Sequence, residues 1–220
     1  MERIQEALAK ARAERAKRGD QPRPERAQAA PAPQTSPPVA EAWAALAPFR
    51  TNRAALKRHR IAAANGGRDA APYDLLRTKI IHQAQINGWR RVAIVSPEMG
   101  AGKTTTLANL VFSFERQRDM RVLCLDLDLR RPALHKVLGQ TPDHSMPDVL
   151  ERRVRFAEHG LRLGERVALG LNKGPAPNPS ELMLSRETRE VLDGIEQDYA
   201  PDLVLFDLSP LNAGDDNIAG

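Results

Sequence analysis

The stretch "VAIVSPEMGAGKTTTLANL", residues 92–110, decides the fold. Its first part is an apolar, β-branched run that closes at Ser96, the signature of a strand. From Lys103 onward the composition is that of a helix. Between them Gly100 and Gly102 carry no Cβ, so the backbone N–H groups from Gly100 through Ala101 to Thr105 can close around phosphate oxygens. The helix N-terminus adds a partial positive charge, Lys103 a full one, and Thr104 a hydroxyl suited to Mg²⁺. A strand before the loop and a helix after it separate this reading from a chance Gly-Lys-Thr turn. One position departs from the usual spacing: Pro97 stands where the pattern has its first glycine.

Working outward, apolar strands alternate with helices. "MRVLCLD", "ERVALGLN" and "DLVLFD" read as strands, and "SRETREVLDGIEQD" as a helix. Upstream, "YDLLRTKIIHQAQI" places Leu75, Leu76, Ile80 and Ile86 at helical spacings, with Gly88 as the stop. Order is expected to begin near Pro72. The alternation predicts an α/β fold: a parallel sheet covered by helices on both faces, with "RRVAIVS" as a buried strand. Cys124 falls in an apolar run and reads as a buried thiol.

Two strands end in carboxylates. Asp126 and Asp128 lie two residues apart, so both can point to one side of the sheet edge. Beside a triphosphate such a pair can hold Mg²⁺ directly or through water, and one member can accept a proton from an attacking hydroxyl. The competing reading is an acidic strand end that caps the next helix. Asp207 closes "DLVLFD" and is a further candidate ligand for Mg²⁺.

The remaining sequence is unlike this. The chain has 220 residues, a net charge of +5 and one cysteine, so no internal disulfide can form. It has no apolar run of about 18 residues for a membrane span, and its first residues lack the apolar core of a signal peptide. It therefore reads as cytoplasmic. Residues 1–70 carry 14 Lys/Arg against 7 Asp/Glu, while residues 71–220 carry 19 against 21. Residues 1–19 read as a charged helix whose only large apolar residues are Ile4 and Leu8. Residues 20–70 read as a Pro/Ala-rich basic linker, with seven of the 17 prolines between residues 20 and 49. A basic, disordered arm of this kind suits an anionic membrane surface or an acidic partner; a solvated tail with no partner is the alternative. Nucleic acid is not expected as a partner.

Three motifs in order, "SPEMGAGKTT", "LDLDLRRP" and "FDLSP", resemble the bacterial tyrosine kinases of exopolysaccharide and capsule synthesis. "RRPALHKVLG" and "YDLLRTKI" resemble that family as well, and the likeness runs from about Ala71 to Asp216. The family commonly replaces the loop's first glycine, so Pro97 does not count against nucleotide binding. The resemblance implies a phosphate-loop NTPase fold like that of the MinD and ParA proteins, occupying residues 71–220, and an enzyme using ATP and Mg²⁺. It assigns phosphates to Lys103 and the Gly100–Gly102 backbone, the metal to Thr104, Asp128 and Asp207, and the base on a tyrosine hydroxyl to Asp126. Arg130 and Arg131 match the family's basic pair. The resemblance also implies a membrane-embedded chain-length determinant (polysaccharide co-polymerase) as activating partner, which the basic arm can dock, and a peripheral place at the inner face of the membrane.

The sequence departs from the family in three ways. It has only Tyr73 and Tyr199, both read as packing residues, where the family ends in a tyrosine cluster. The ring-forming "E-x-x-R-x-x-R" appears as Ala71, Asp74 and Arg77, which leaves homo-oligomer assembly open. The family's domain continues through further strands and an adenine-contacting loop, so the resemblance implies a domain cut short. Two other readings stand beside the kinase. One is a dimerising partitioning ATPase, whose relatives carry a lysine at the position of Glu98. The other is an ATP-binding scaffold that transfers nothing.

Overall fold

The structure, a computed structural model, describes residues 37–213 and the side chains of residues 38–212. The helix expected over residues 1–19 and the first part of the expected linker lie outside the described residues.

Among the described residues six strands form one sheet in the order β1-β4-β5-β3-β6-β2. They are β1 (Ala47–Pro48), β2 (Arg91–Ile94), β3 (Val122–Asp126), β4 (Leu161–Leu163), β5 (Val167–Gly170) and β6 (Leu203–Asp207). β3 and β6 lie at the centre, buried at every residue, as their unbroken apolar runs require. Their parallel register sets Asp126 directly opposite Asp207, and β6 in turn sets Asp207 opposite Ile94 of β2. The loop that follows β2 and the carboxylates that close β3 and β6 therefore meet at one edge. Ligands collect at this carboxyl edge in open α/β sheets.

Helices α3 (Ala71–Asn87) and α4 (Lys103–Glu115) cover one face, and α9 (Arg186–Tyr199) covers the other. α4 is apolar nearly all round: Leu107, Leu110, Val111, Phe112 and Phe114 are all buried. A helix of that kind must be covered on every side. α3 covers part of it, and a turn at Ala62–Asn65 covers more.

Three expectations are corrected. First, order does not begin near Pro72, and residues 37–70 are not a linker. They form α1 (Pro37–Ala45), β1 and α2 (Arg53–Arg58), followed by short turns. Trp43 and Leu46 enter the core on the α9 side; Phe49, Leu56 and Ile61 enter it on the α4 side. The prolines misled because Pro37 and Pro38 open α1, where no intrahelical N–H is needed. The apolar residues misled because they are single large plugs set among alanines, without periodicity. Second, among the described residues β2 has a neighbouring strand on one side only, and its residues alternate between exposed and half-buried. Third, the sheet is not wholly parallel: β4 and β5 form an antiparallel hairpin turned at Gly164.

Candidate active site

The loop begins where β2 stops. Ser96 is buried, and its Oγ donates to the Glu98 carbonyl at 2.7 Å, fixing the first bend. Gly100 and Gly102 have φ of 78° and 85°, left-handed values that a side chain would strain. A Cβ at either would meet no atom within 4 Å, so the loop is not crowded at these positions. Met99 through Thr105 line a hollow of about 320 Å³ there.

Lys103 does not reach into solvent. Its Nζ donates to Asp128 Oδ2 at 2.8 Å and lies 3.3 Å from Asp207 Oδ1, with all three side chains nearly buried. Burial opposes the ammonium charge, but Asp207 and Asp128 outweigh it and raise the Lys103 pKa. Thr104 Oγ1 donates to Asp207 Oδ2 at 2.8 Å. Asp128 Oδ1 accepts from Ser209 Oγ at 3.0 Å and from the Arg131 N–H at 3.1 Å. Asp126 lies beneath, fully buried, with its Oδ1 accepting the Asp128 N–H at 3.2 Å. Burial, with Asp207 and Asp128 adding, pushes the Asp126 carboxyl well above its ordinary range. Burial also raises Asp207, with Lys103 and Thr104 opposing.

One ammonium thus faces three carboxylates, and the arrangement is short of positive charge. Asp126 Oδ2 is buried without a hydrogen-bond partner, and Asp207 Oδ1 has only the Lys103 ammonium beside it. A buried oxygen short of partners is what a divalent cation satisfies. Among the described residues no three of His, Cys, Asp and Glu converge closely enough to cage a metal alone.

A second hollow of about 590 Å³ adjoins the first, sharing Met99, Asp128, Arg131 and Pro210 with it. Asp128 therefore faces both hollows, whereas Asp126 lines neither. Arg130 and Arg131 line the second hollow; Arg130 also bonds Ser180, and the Arg131 guanidinium lies against the Met99 sulfur. Glu98 lines it too.

The two tyrosines are placed as packing residues. Tyr199 is buried against Trp43 and Phe156, and burial pushes its phenol up to about 12. Tyr73 is half-buried against the core. Asp74 and Arg77 turn inward: Asp74 Oδ1 accepts from Ser113, Arg116 and Arg77, and so ties α3 to α4.

Three positioning residues escaped the sequence reading. Asn109 is buried in α4, accepts the Ala63 N–H at 2.9 Å and donates to the Thr105 carbonyl at 2.9 Å, joining the N-terminal segment to the phosphate-loop helix. Asn172 donates to the Asp126 carbonyl at 2.7 Å and accepts the Met146 N–H at 2.9 Å. Ser209 is the third. Each is a polar residue in or beside an apolar run, and that was the available signal.

The sequence profile described as the CobQ/CobB/MinD/ParA nucleotide binding domain matches residues 92–206. The chain is 32% identical over 142 residues to the tyrosine-protein kinase YwqD of Bacillus subtilis, covering 64% of this chain and 59% of that protein. It is 30% identical over 140 residues to the putative tyrosine-protein kinase AmsA of Erwinia amylovora, covering 63% of this chain and 19% of that one. The kinase domain of the Escherichia coli tyrosine kinase ETK superposes with a TM-score of 0.60 at 24% identity, over 69% of this chain and 58% of that one, which shows a shared fold. The chain belongs to the CobQ/CobB/MinD/ParA nucleotide-binding domain family.

Proposed function

We propose that this domain is an ATP- and Mg²⁺-dependent protein tyrosine kinase acting in exopolysaccharide or capsule synthesis and export. One observation carries the reading: Lys103, between Asp128 and Asp207 at the mouth of an open phosphate loop, above the buried Asp126 carboxyl whose Oδ2 lacks a hydrogen-bond partner. The relatives named as tyrosine kinases support it.

The chemistry asked of the protein is positioning and charge. The Gly100–Gly102 backbone and the α4 N-terminus hold phosphate oxygens, and Thr105 completes the loop. Thr104, Asp128 and Asp207 are the residues that would hold Mg²⁺, which supplies positive charge to the phosphates. Lys103, a charged donor with two acidic partners, exchanges one of them for a phosphate oxygen when ATP enters. The acceptor hydroxyl enters through the second hollow, where Asp128 is within reach of it. A base must meet its proton, so this geometry favours Asp128 over Asp126 for that role. Asp126 supports it from below.

Tyr73 and Tyr199 are both packed, so neither is the acceptor on this reading. A membrane-embedded chain-length determinant is the activating partner that fits, with the domain held peripherally at the inner membrane face. Among the described residues no helix is long and apolar enough to cross a membrane. One other reading stands beside it, a nucleotide-binding scaffold that transfers nothing.

Labelled ATP with Mg²⁺, followed by phosphoamino-acid analysis of the chain and of co-expressed membrane partners, decides between them. Phosphotyrosine that is lost in Lys103→Met supports the kinase. ATP hydrolysis without protein labelling supports a switch, and binding with neither supports the scaffold.

A further inference from the structure

Between Glu41 and Asp69 the sequence has no acidic residue, yet residues 50–60 hold five cations: Arg50, Arg53, Lys57, Arg58 and Arg60. The fold orders them. α2 is capped by Asn52, whose Oδ1 accepts the Ala55 N–H at 3.1 Å. Ala55 and Leu56 face inward, and a Cβ added at Gly139 would stand 2.5 Å from the Ala55 Cβ, so the helix is seated closely. At about 3.6 residues per turn, Arg53, Ala54, Lys57 and Arg58 share the opposite arc. All four are exposed, and so are Arg50 and Arg60 at either end of the helix. Among the described residues none of the five side chains forms an ion pair or a hydrogen bond; Arg50 and Arg60 are engaged through their backbone alone.

Helix stability does not account for this arrangement. Lys57 and Arg58 suit the negative C-terminal end of α2, but Arg53 opens the helix, where a cation opposes the dipole. Arg60 has a φ of 59°, at the left-handed position that closes α2. There the Arg60 N–H donates to the Lys57 carbonyl and the Ile61 N–H to the Leu56 carbonyl. Glycine suits that position with least strain, and the fold keeps a charged side chain there instead. Five of the cations expected in a disordered arm are thus held at fixed spacing by the folded domain.

We propose that the outer face of α2, with Arg50 and Arg60, seats the domain on an anionic phospholipid surface. This rests on the peripheral membrane placement proposed above and names the face that makes the contact. None of the exposed large apolar residues lies between Arg50 and Arg60, so contact there is through charge. A peptide partner gains most of its affinity from apolar or aromatic anchors in a pocket, which a face of this composition does not offer. A lipid surface needs only cations clustered on one side. Residues 1–36 do not answer the patch, since they hold eight Lys/Arg against five Asp/Glu. α2 follows β1, at the opposite end of the strand order from β2, so further strands beside β2 would lie at the far end of the sheet from it.

The test sediments the full chain with vesicles of phosphatidylcholine alone and of phosphatidylcholine mixed with phosphatidylglycerol, with no membrane protein present. The expected result is association with the anionic vesicles alone, lost at high salt. Each cation near such a surface strengthens association about fivefold, so Arg53→Ala/Lys57→Ala/Arg58→Ala should weaken it about a hundredfold. The three side chains are exposed and outside the nucleotide site, so ATP affinity should not change. Removing three cations of the arm, Arg12→Ala/Arg15→Ala/Lys17→Ala, should weaken association less, because Glu6, Glu14 and Asp20 are interspersed there. Equal losses in the two triple variants would mean that net charge alone is read, and would overturn the proposal. A wild-type chain that ignores the anionic vesicles overturns it as well, and leaves the kinase reading standing if phosphotyrosine still forms. Tighter binding to an acidic peptide or to duplex DNA than to the vesicles also overturns it and assigns the face to that partner.

Discussion

Trp43→Ala tests whether residues 37–70 are part of the domain. Trp43 is 2% exposed, packs edge-on against Tyr199 at 6.1 Å between ring centroids, and lies under the Arg121 guanidinium at 5.6 Å. Its Nε1 donates to the Tyr199 carbonyl at 2.7 Å. Truncating a buried tryptophan costs about 3–5 kcal/mol, from lost transfer energy plus the cavity left behind. The Tyr199 carbonyl, buried with the indole, also loses its donor. The expected loss is therefore about 4 kcal/mol out of a total of roughly 5–15 for a domain of ordinary stability. Urea denaturation followed by far-ultraviolet circular dichroism measures it. Trp89→Ala is the control: that ring is 55% exposed and should change stability by less than about 0.5 kcal/mol. A loss below about 1 kcal/mol for Trp43→Ala, comparable with surface substitutions, would refute the docking of α1 on α9.

Acid should destabilise the fold through His159. Burial, with His144 adding, holds this ring down to about 4, and its Nε2 accepts the Leu171 N–H at 3.1 Å, which only a neutral imidazole can do. The unfolded chain protonates the ring near 6.5. The contribution is thus complete above that pH and is lost as pH falls toward 4, by about 3 kcal/mol in all. Urea midpoints across this range should fall with acidification and flatten in His159→Gln; an unchanged slope in that variant removes the assignment. For the base, Asp128→Asn should lower phosphoryl transfer by roughly a hundredfold or more, and Asp126→Asn by much less. The reverse order in single-turnover assays would return the role to Asp126. Deleting residues 1–36, which leaves Trp43 and the rest of α1 in place, should preserve ATP affinity and weaken sedimentation with anionic vesicles or with the membrane partner. Unchanged association would end the docking role of the basic arm.

The phosphate loop was legible because its requirements are local. The two left-handed positions need glycine, the charge needs lysine, and both are written in consecutive residues. The central strands were legible because burial on both sides demands unbroken apolar runs such as "VLCLD" and "LVLFD". What the sequence hid was non-local. Nothing in "PPVAEAWAALAPF" says that Trp43 will find Tyr199, 156 residues away. Nothing in "RRVAIVS" says that β2 will pair with β6, because strand order depends on which neighbours pair and not on the strand's own composition. In the site, the residues were readable but their division of labour was not. Asp126 and Asp128 look alike in sequence; burial alone separates them, sinking one beneath the other at the end of β3.

The account stands on the grip that Lys103, Thr104, Asp128 and Asp207 exert on magnesium triphosphate. Isothermal titration of the folded chain with ATP, with and without Mg²⁺, measures it directly. Uptake that strengthens when Mg²⁺ is present and vanishes in Lys103→Met is the predicted result. A wild-type chain that takes up neither ATP nor ADP with the metal present would contradict it.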